Sequence, residues 1–240
     1  MQLSSLHAAA NPDSNCPLCP RLAEFRRTNR TAFPKWFNAP VPSFGDPEAA
    51  LLIVGLAPGL RGANRTGRPF TGDYAGELLY STLIAHGFAV GAYAADSADG
   101  LSLRRALISN AVRCVPPENK PTPAEAGTCR QFLASQIVAL PALRAIIALG
   151  RIAHESVVRV LGEPVSKHPF SHGAAHAING VTLFDSYHCS RYNTNTGRLT
   201  EAMFQSVFNA VRTYLDGSET GLAFSQATTS PAFLSGGNTG

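Results

Sequence analysis

The sequence predicts an α/β protein in which a parallel β-sheet lies sandwiched between helices. Strand-like and helix-like patterns alternate along most of the chain, in the order β-α-β-α-β-α-β-α. The strand-like segments are short, continuous apolar runs, as expected of strands covered on both faces. Hydrophobic residues make up 45% and charged residues 15% of the 240 residues. This composition suits one domain with a sizeable core and excludes global disorder.

Four apolar runs are the predicted strands, and four capped or amphipathic segments are the helices between them. The strands are residues 49–54, 106–112, 143–149 and 181–185. The helices are residues 74–86, 122 to about 140, 152–161 and 200 to about 214. Thr122 and Glu125 have the spacing of a capping box, which marks the start of the second helix. Ligands of such folds bind beyond the carboxyl ends of the strands, so we expect chemistry in the loops after Val54, Val112 and Asp185.

Composition also limits where the protein acts and what it binds. The formal net charge of +4 and pI near 8.9 give a mild preference for anionic partners. No apolar run approaches the roughly 18 residues that a membrane helix needs, and the N-terminus lacks the features of a secretory signal. We therefore expect a cytoplasmic protein without membrane association. Residues 1–15 are predicted to be a flexible start, 16–216 the folded domain, and 217–240, rich in Gly, Ser, Thr and Asn, a disordered tail.

The loop after the first strand combines glycines, arginines and one acid. Residues 55–72 contain five glycines and three arginines, which suit close backbone approach to a ligand and donation to phosphate. The glycine spacing and the missing Gly-Lys-Ser/Thr ending exclude a dinucleotide fingerprint and a P-loop. Asp73 is the first acid after them and follows the aromatic Phe70, so this carboxylate is a candidate to stabilise a cationic, sugar-centred transition state. The alternative is a long surface loop with solvated arginines.

The loop after the last strand carries a second polar group. His188 is a candidate donor to an anion that forms during a reaction, and the alternative is an ordinary hydrogen-bonded histidine. Tyr192 is a candidate wedge between stacked bases. Four further polar residues suit a phosphodiester backbone: Ser190, Arg191, Asn193 and Asn195.

Three histidines at a spacing of four, His168, His172 and His176, suggest a metal-binding face of a helix. Pro169 and Gly173 interrupt any helix there, and this argues against such a site. These histidines, together with His154, are therefore interpreted as ordinary hydrogen-bonded or solvated side chains.

The five cysteines fall, by their position in the sequence, into two groups of two and one single residue. Five cysteines in a chain expected in the cytosol argue against a disulfide framework. Cys16 and Cys19 form a CxxC turn, whereas Cys114 follows the second strand and Cys129 lies about two turns into the next helix. These four thiolates suit structural zinc or an iron–sulfur cluster, and spacing alone does not choose between them. Unligated thiols are the alternative, and Cys189 is interpreted as a small filler.

Five short motifs, taken in their order along the chain, carry a resemblance to a known family. They are GLAPG at 55–59, NRTGRPFTGD at 64–73, NAVRC at 110–114, HCS at 188–190 and TGRLT at 196–200. Together they resemble the family 5 uracil-DNA glycosylases (UDGb type), in the iron–sulfur branch of the uracil-DNA glycosylase superfamily. The similarity runs from about residue 16 to 214. It implies a three-layer α/β/α sandwich with a central four-stranded parallel sheet, and a [4Fe–4S] cluster on Cys16, Cys19, Cys114 and Cys129.

This chain differs from common superfamily patterns in its first and last motifs. Many superfamily members carry an Asn or Glu in the first motif, where this chain has Leu56 and Ala57. The family 5 pattern shares this lack and places its carboxylate at the position of Asp73. The last motif is usually His-Pro-Ser, and Cys189 stands in place of the proline, which removes a rigid turn element.

The resemblance implies hydrolysis of the N-glycosidic bond of uracil in DNA, and of other deaminated bases such as hypoxanthine, to leave an abasic site. It implies that His188 donates to the departing base and that Asp73 stabilises the sugar cation or orients water. The base-binding residues are then Gly55, Leu56, Ala57, Gly59, Phe70 and Asn110. The DNA-binding residues are Arg61, Arg65, Ser190, Arg191, Tyr192, Asn193 and Arg198.

Two other functions remain open at this stage. One is a non-catalytic, zinc-stabilised nucleic-acid-binding protein, which would be colourless where an iron–sulfur protein is brown. The other is a hydrolase of free nucleosides or nucleotides, which would not need arginine-bearing loops outside its pocket. DNA is the expected partner, and a monomer is the expected state.

Overall fold

A six-stranded β-sheet forms the centre of the protein, in a computed structural model that describes residues 10–226. The eight strands are β1 (Phe44–Gly45), β2 (Leu51–Gly55), β3 (Ala89–Val90), β4 (Ser102–Leu103), β5 (Ala106–Asn110), β6 (Ala145–Leu149), β7 (Ala175–Ile178) and β8 (Val181–Ser186). The central sheet has the order β1-β5-β2-β6-β8-β7, and β3 and β4 form a separate pair. Its inner four strands are parallel, as predicted, whereas β1 and β7 add antiparallel edges. The sheet therefore has six strands where four were expected.

Helices cover both faces of this sheet, which confirms the predicted sandwich. They are α1 (Pro20–Ala32), α2 (Ala63–Thr66), α3 (Tyr74–Ala85), α4 (Pro123–Val138), α5 (Arg151–Val160), α6 (Arg191–Asn195) and α7 (Glu201–Gln226). One core lies between the sheet and helices α3 and α7, and the other between the sheet and helices α4 and α5. Three inner strands, β2, β5 and β6, are buried along their whole length, which explains their continuous apolar runs, and β8 is buried from Leu183 onward.

The ends of the chain differ from the prediction. Helix α7 continues to Gln226 rather than ending near Tyr214, so residues 217–226 of the predicted tail are helical. At the other end, Ala10 is fully buried and Asn11 accepts hydrogen bonds from Ser43 N and Arg113 Nη1. Within the predicted flexible start, Ala10 and Asn11 therefore pack on the folded body. Residues 1–9 and 227–240 lie outside the described residues.

The parallel strands position the site. Gly55 and Asn110 pair across β2 and β5 at their carboxyl ends, and Leu149 pairs with Ser186 at the ends of β6 and β8. The loops that follow these four strands therefore meet at one edge of the sheet. Within residues 10–226, no helix combines the length and the apolar character that crossing a membrane requires.

Candidate active site

A cavity of about 570 Å³ opens at the carboxyl edge of the sheet. Its volume is in the range of small-molecule sites. The lining brings together most of the residues predicted to hold a base and both predicted catalytic residues: Leu56, Ala57, Gly59, Phe70, Asn110, Asp73 and His188. Ser190 and Arg191, predicted to bind DNA, lie at the same cavity.

Phe70 and Asn110 form one wall, and Gly55 supports both. A Cβ atom on Gly55 would lie 2.5 Å from Asn110 Oδ1 and 2.5 Å from Phe70 Cζ, so only glycine fits beneath them. Asn110 is 3% exposed, and its Oδ1 is buried without a hydrogen-bond partner. A buried acceptor without a partner is costly. The wall therefore combines an aromatic ring with an amide whose oxygen has no partner within the protein.

Asp73 begins helix α3 at the mouth of the cavity. Its Oδ1 accepts a hydrogen bond of 3.1 Å from Gly76 N, which makes Asp73 the N-cap. Its Oδ2 lies beside Gly59 and Gly62, where Cβ atoms would come within 3.4 and 3.1 Å. One oxygen is therefore fixed by the helix, and the carboxylate lines the cavity.

His188 lies opposite Phe70 and is partly buried. The two rings are 5.9 Å apart at their centroids with an interplanar angle of 26°. Burial lowers the pKa of His188, and the nearby Asp73 carboxylate opposes this shift. The imidazole is therefore favoured in its neutral form, in which one ring nitrogen still donates. Asn193 Nδ2 donates to the His188 carbonyl at 2.8 Å, so this predicted DNA contact also braces the histidine.

A buried ion pair holds the loop that carries Phe70. The Arg68 guanidinium bonds both carboxylate oxygens of Asp99 at 2.7 Å, and its Nε donates to Thr71 Oγ1 at 2.8 Å. Three aromatic rings, those of Phe44, Tyr80 and Tyr93, lie 5.1 to 5.7 Å from the guanidinium carbon. Arginine in this setting combines bidentate pairing with ring stacking.

Two tyrosines of this cage bind the backbone next to Phe70, which has a left-handed φ of 54°. Tyr80 Oη donates to Pro69 O at 2.7 Å, and Tyr93 Oη donates to Phe70 O at 3.3 Å. A non-glycine residue in this region is strained. The cage therefore compensates for the strained backbone that presents the Phe70 ring.

The predicted DNA-binding residues outside the cavity divide into two groups. Arg61, Arg65 and Tyr192 are exposed, Tyr192 to 73%. Asn193 and Arg198 line a second cavity of about 270 Å³, which shares His188 with the first. The Arg198 guanidinium lies 4.7 Å from the centre of the Tyr187 ring. All of these residues except Asn193 present side chains to solvent around the site.

Sequence reasoning missed several site residues. Asn119 and Tyr74 line the first cavity, and Gly150 and Arg151 line the second. Gly150 follows β6 directly, and a Cβ atom on it would lie 3.7 Å from His188 Cβ. The apolar run that ends in glycine was a sufficient signal, because the loop after every parallel strand reaches the same edge.

The four cysteines predicted to be metal ligands, Cys16, Cys19, Cys114 and Cys129, lie in one region, as expected from the sequence. Cys19, Cys114 and Cys129 pack with Leu22 and Val112, which joins helix α1 to the loop after β5 and to α4. All five cysteines of the chain are free thiols. Burial raises the pKa of Cys114 to about 12 and that of Cys129 to about 11. Cys189 is fully buried, with its Sγ 3.5 Å from Ala75 O, which agrees with a filler.

Two groups donate to these sulfurs. Arg113 N lies 3.3 Å from Cys129 Sγ, and Arg26 Nη1 lies 3.5 Å from Cys114 Sγ. Arg26 Nη2 also donates to Cys16 O at 2.9 Å, which ties the CxxC turn to Cys114. The region can therefore hold a thiolate-ligated group with its sulfurs already supplied with N–H donors.

The histidines after β6 form a buried network rather than a helical face. His154 Nδ1 lies 2.7 Å from Asp185 Oδ1, and its Nε2 lies 2.7 Å from His168 O. His176 Nε2 lies 3.1 Å from the other Asp185 oxygen. His172 instead stacks on Tyr187 and accepts from its backbone N–H. This network anchors the end of β8, two residues before His188.

Comparison with known proteins gives one consistent result. The pattern of the uracil DNA glycosylase superfamily matches residues 42–212. The chain is 47% identical to the type-5 uracil-DNA glycosylase of Thermus thermophilus over 199 residues, or 80% of this chain and 90% of that protein. It is 44% identical to the Mycobacterium leprae type-5 enzyme, over 81% of this chain and 89% of that protein. It is 40% identical to the Pyrobaculum aerophilum type-5 enzyme, over 78% of this chain and 83% of that protein.

Proposed function

This chain belongs to the uracil-DNA glycosylase superfamily, and on that premise we propose how its cavity performs the reaction. The enzyme hydrolyses the N-glycosidic bond that joins uracil to deoxyribose in DNA, the first step of base-excision repair. The observation that carries the assignment of the base site is the unpartnered, buried Oδ1 of Asn110 beside the Phe70 ring. Uracil presents an N3–H donor on the edge that would face this acceptor.

Recognition of the base follows from that wall. A base inside a duplex must be extruded before it reaches the cavity, at a cost of a few kcal/mol. Phe70 would then cover one face of the base, and the Asn110 amide would offer its acceptor to N3–H and its donor to a carbonyl oxygen. Gly55 keeps this space open, because any larger side chain there would displace both residues.

Bond cleavage separates charge in two directions, and the site has one group for each. The departing base gains negative charge on its oxygens, and neutral His188 would donate a hydrogen bond to it. The sugar becomes oxocarbenium-like, and the Asp73 carboxylate would stabilise it or orient the attacking water. Because Oδ1 of Asp73 is fixed by Gly76 N, the carboxylate needs little reorganisation during the reaction.

The DNA backbone would be held by exposed arginines around the mouth. Arg61, Arg65, Arg191 and Arg198 would contact phosphates, which makes binding salt-dependent. Tyr192, 73% exposed at the start of α6, would fill the gap left by the extruded base.

We also propose that Cys16, Cys19, Cys114 and Cys129 hold a [4Fe–4S] cluster. Three of these cysteines pack in one apolar cluster, and two of the sulfurs have N–H donors, which suits a thiolate-ligated cluster. When bound, the cluster would supply a structural cross-link between α1 and the loop after β5.

The proposal extends to other deaminated bases such as hypoxanthine, because the first motif lines the cavity with Leu56, Ala57, Pro58 and Gly59 and offers no polar side chain that would select one base. The monomeric state and the cytoplasmic location expected from the sequence stay predictions.

The test is release of free base under single-turnover conditions from three substrates. These are an oligonucleotide containing uracil, the same oligonucleotide containing hypoxanthine, and free deoxyuridine. We expect release from both oligonucleotides and negligible release from deoxyuridine. Release from deoxyuridine at a comparable rate would favour a nucleoside hydrolase, and binding without release would favour a non-catalytic DNA-binding protein.

A further inference from the structure

A second groove, of about 510 Å³, lies on the far side of helix α2 from the base cavity. Residues 35–37 line one side of it and residues 95–97 the other. Ala63 of α2 lines the base cavity, whereas Arg65 and Thr66 of the same helix line this groove. Arg65 is the one residue of this groove that has a role in the proposed glycosylase reaction.

Its aromatic wall is rigid and partly uncovered. Trp36 stacks on Phe33 with ring centroids 4.0 Å apart and an interplanar angle of 7°. Because Phe33 covers one face of the indole, the remaining surface of the ring lines the groove. Phe37 is 43% exposed and packs over Gly67, where a Cβ atom would lie 2.8 Å from its ring. Exposed, immobilised aromatic rings are the platforms on which unpaired bases stack.

Two basic residues and one acidic residue line the groove, so its lining has a net positive charge. Neither Lys35 nor Arg65 forms an ion pair among residues 10–217, and both line the groove. Asp96 is its one acidic lining residue, and Oδ1 of Asp96 already accepts from Ala98 N at 2.9 Å. Two basic side chains beside two aromatic rings are complementary to a nucleotide, whose base stacks and whose phosphate is anionic.

Arg65 connects the groove to the base cavity. Its Nη2 lies 3.0 Å from the position of a Cβ on Gly72, directly before Asp73, and its Nε donates to Arg61 O. A strand whose extruded nucleotide occupies the cavity therefore passes Arg65 on its way to the groove.

We propose that this groove is a second DNA subsite, which binds an unpaired nucleotide of the strand that flanks the extruded base. Its base stacks against Trp36 and Phe37, and its phosphate lies between Lys35 and Arg65. This subsite rests on the proposed glycosylase function, and it makes long single-stranded DNA a better ligand than the same sequence in a duplex, where bases are paired.

Trp36 is the single tryptophan of the chain, so its fluorescence reports on the groove alone. We expect a uracil-free single-stranded oligonucleotide to quench this fluorescence at low salt, and the matching duplex to leave it nearly unchanged. Equal quenching by the duplex, or no quenching by a single strand that is shown by anisotropy to be bound, would overturn the proposal.

Two variants give a second readout in the full-length enzyme. Phe37→Ala and Lys35→Ala should each weaken binding of a uracil-containing single strand with long flanks about tenfold, within the range for one base stack. A substrate with a single nucleotide on either side of the uracil should bind equally well to all variants. Ile84→Ala and Lys167→Ala, which change an exposed apolar and an exposed basic residue elsewhere, are the matched controls.

The outcomes separate this proposal from the glycosylase function. If the unmodified enzyme releases uracil while both groove variants bind long single strands as tightly as the controls do, the subsite is refuted and the function stands. If the unmodified enzyme quenches with single-stranded DNA but releases no uracil, the function fails and the groove stands as a DNA-binding site. A variant that fails to fold is identified by its melting temperature, and the fluorescence of the unmodified enzyme still decides.

Discussion

Phe70 and His188 face each other across the cavity with their ring centroids 5.9 Å apart. A base sandwiched between two rings needs about 7 Å, since carbon atoms in contact lie about 3.5 Å apart. In the proposed reaction, a base would therefore stack on Phe70 alone and would meet His188 at its edge. From that edge, neutral His188 would donate to the oxygens on which negative charge develops.

The charge of Asp73 can be removed without removing its helix cap. In Asp73→Asn, the amide oxygen still accepts from Gly76 N, so the melting temperature should change little. The single-turnover excision rate should fall, because a neutral group stabilises the sugar cation less. Rapid-quench assays beside thermal melts test this. An unchanged rate would remove the carboxylate charge from the mechanism.

Asn110 should determine recognition of the base edge. In Asn110→Ala the donor and acceptor of the amide are lost, and the edge of the extruded base stays unpaired. Leaving a buried polar group unpaired costs about 1–3 kcal/mol, which corresponds to a loss of about 5- to 150-fold in kcat/KM. The affinity for uracil-free DNA should stay the same. A loss of affinity for such DNA would instead indicate a damaged fold.

Part of this site could be predicted from sequence because it follows strand ends. Phe70, Asp73 and His188 lie in loops after continuous apolar runs, and Asn110 ends such a run, so all four meet at one edge of a parallel sheet. The pairing of Arg68 with Asp99 could not be predicted, because 31 residues separate them and neither belongs to a periodic pattern. The left-handed backbone of Phe70, which this pair helps to hold, could not be predicted from the sequence either.

The buried Arg68–Asp99 pair should make stability fall in acid. The hydrogen bonds from Arg68 hold the pKa of Asp99 well below its ordinary value, with help from the N–H groups of Ala94 and Leu101. A depressed folded-state pKa contributes stability above about pH 4, the ordinary value for Asp, and this contribution is lost as the pH falls toward the folded-state pKa.

Asp99→Asn tests the contribution of this pair. It should destabilise the protein at pH 7 by about 3–5 kcal/mol, since it leaves Arg68 buried without its counter-charge. Below pH 4 the difference from the unmodified protein should shrink. Denaturant unfolding at several pH values measures it, and a difference that is constant with pH would contradict the assignment.

Loss of one ligand of the proposed cluster should loosen the packing of α1 on the loop after β5. We expect Cys114→Ser to lose the brown colour and to lower the melting temperature, because Cys114 joins α1 to the loop after β5. Cys189→Ser, which changes a buried cysteine outside the set, is the matched control and should keep the colour. Iron and sulfide analysis checks both variants, and a colourless unmodified protein containing one zinc ion would refute the cluster.

In the fold too, the elements with a clear local sequence pattern were predicted, and those that depend on tertiary contacts were missed. The inner strands were predictable because burial on both faces leaves a continuous apolar run. Strands β1 and β7 were missed, since they are short edge strands with exposed positions. Helix α1 was missed as well, because its buried face includes the polar Arg26 and Asn29 and so lacks an apolar stripe. The buried Arg26 side chain donates to Cys114 Sγ and to Cys16 O.

Single-turnover excision of uracil by the unmodified enzyme and by His188→Ala tests the central claim most directly. Because burial lowers the pKa of His188, the neutral donor dominates above about pH 6.5, and the unmodified rate should not fall as the pH rises to about 8. Loss of one preorganised donor should lower the rate about 10²- to 10³-fold, with DNA affinity retained. A His188→Ala enzyme that releases uracil at the unmodified rate would contradict the account.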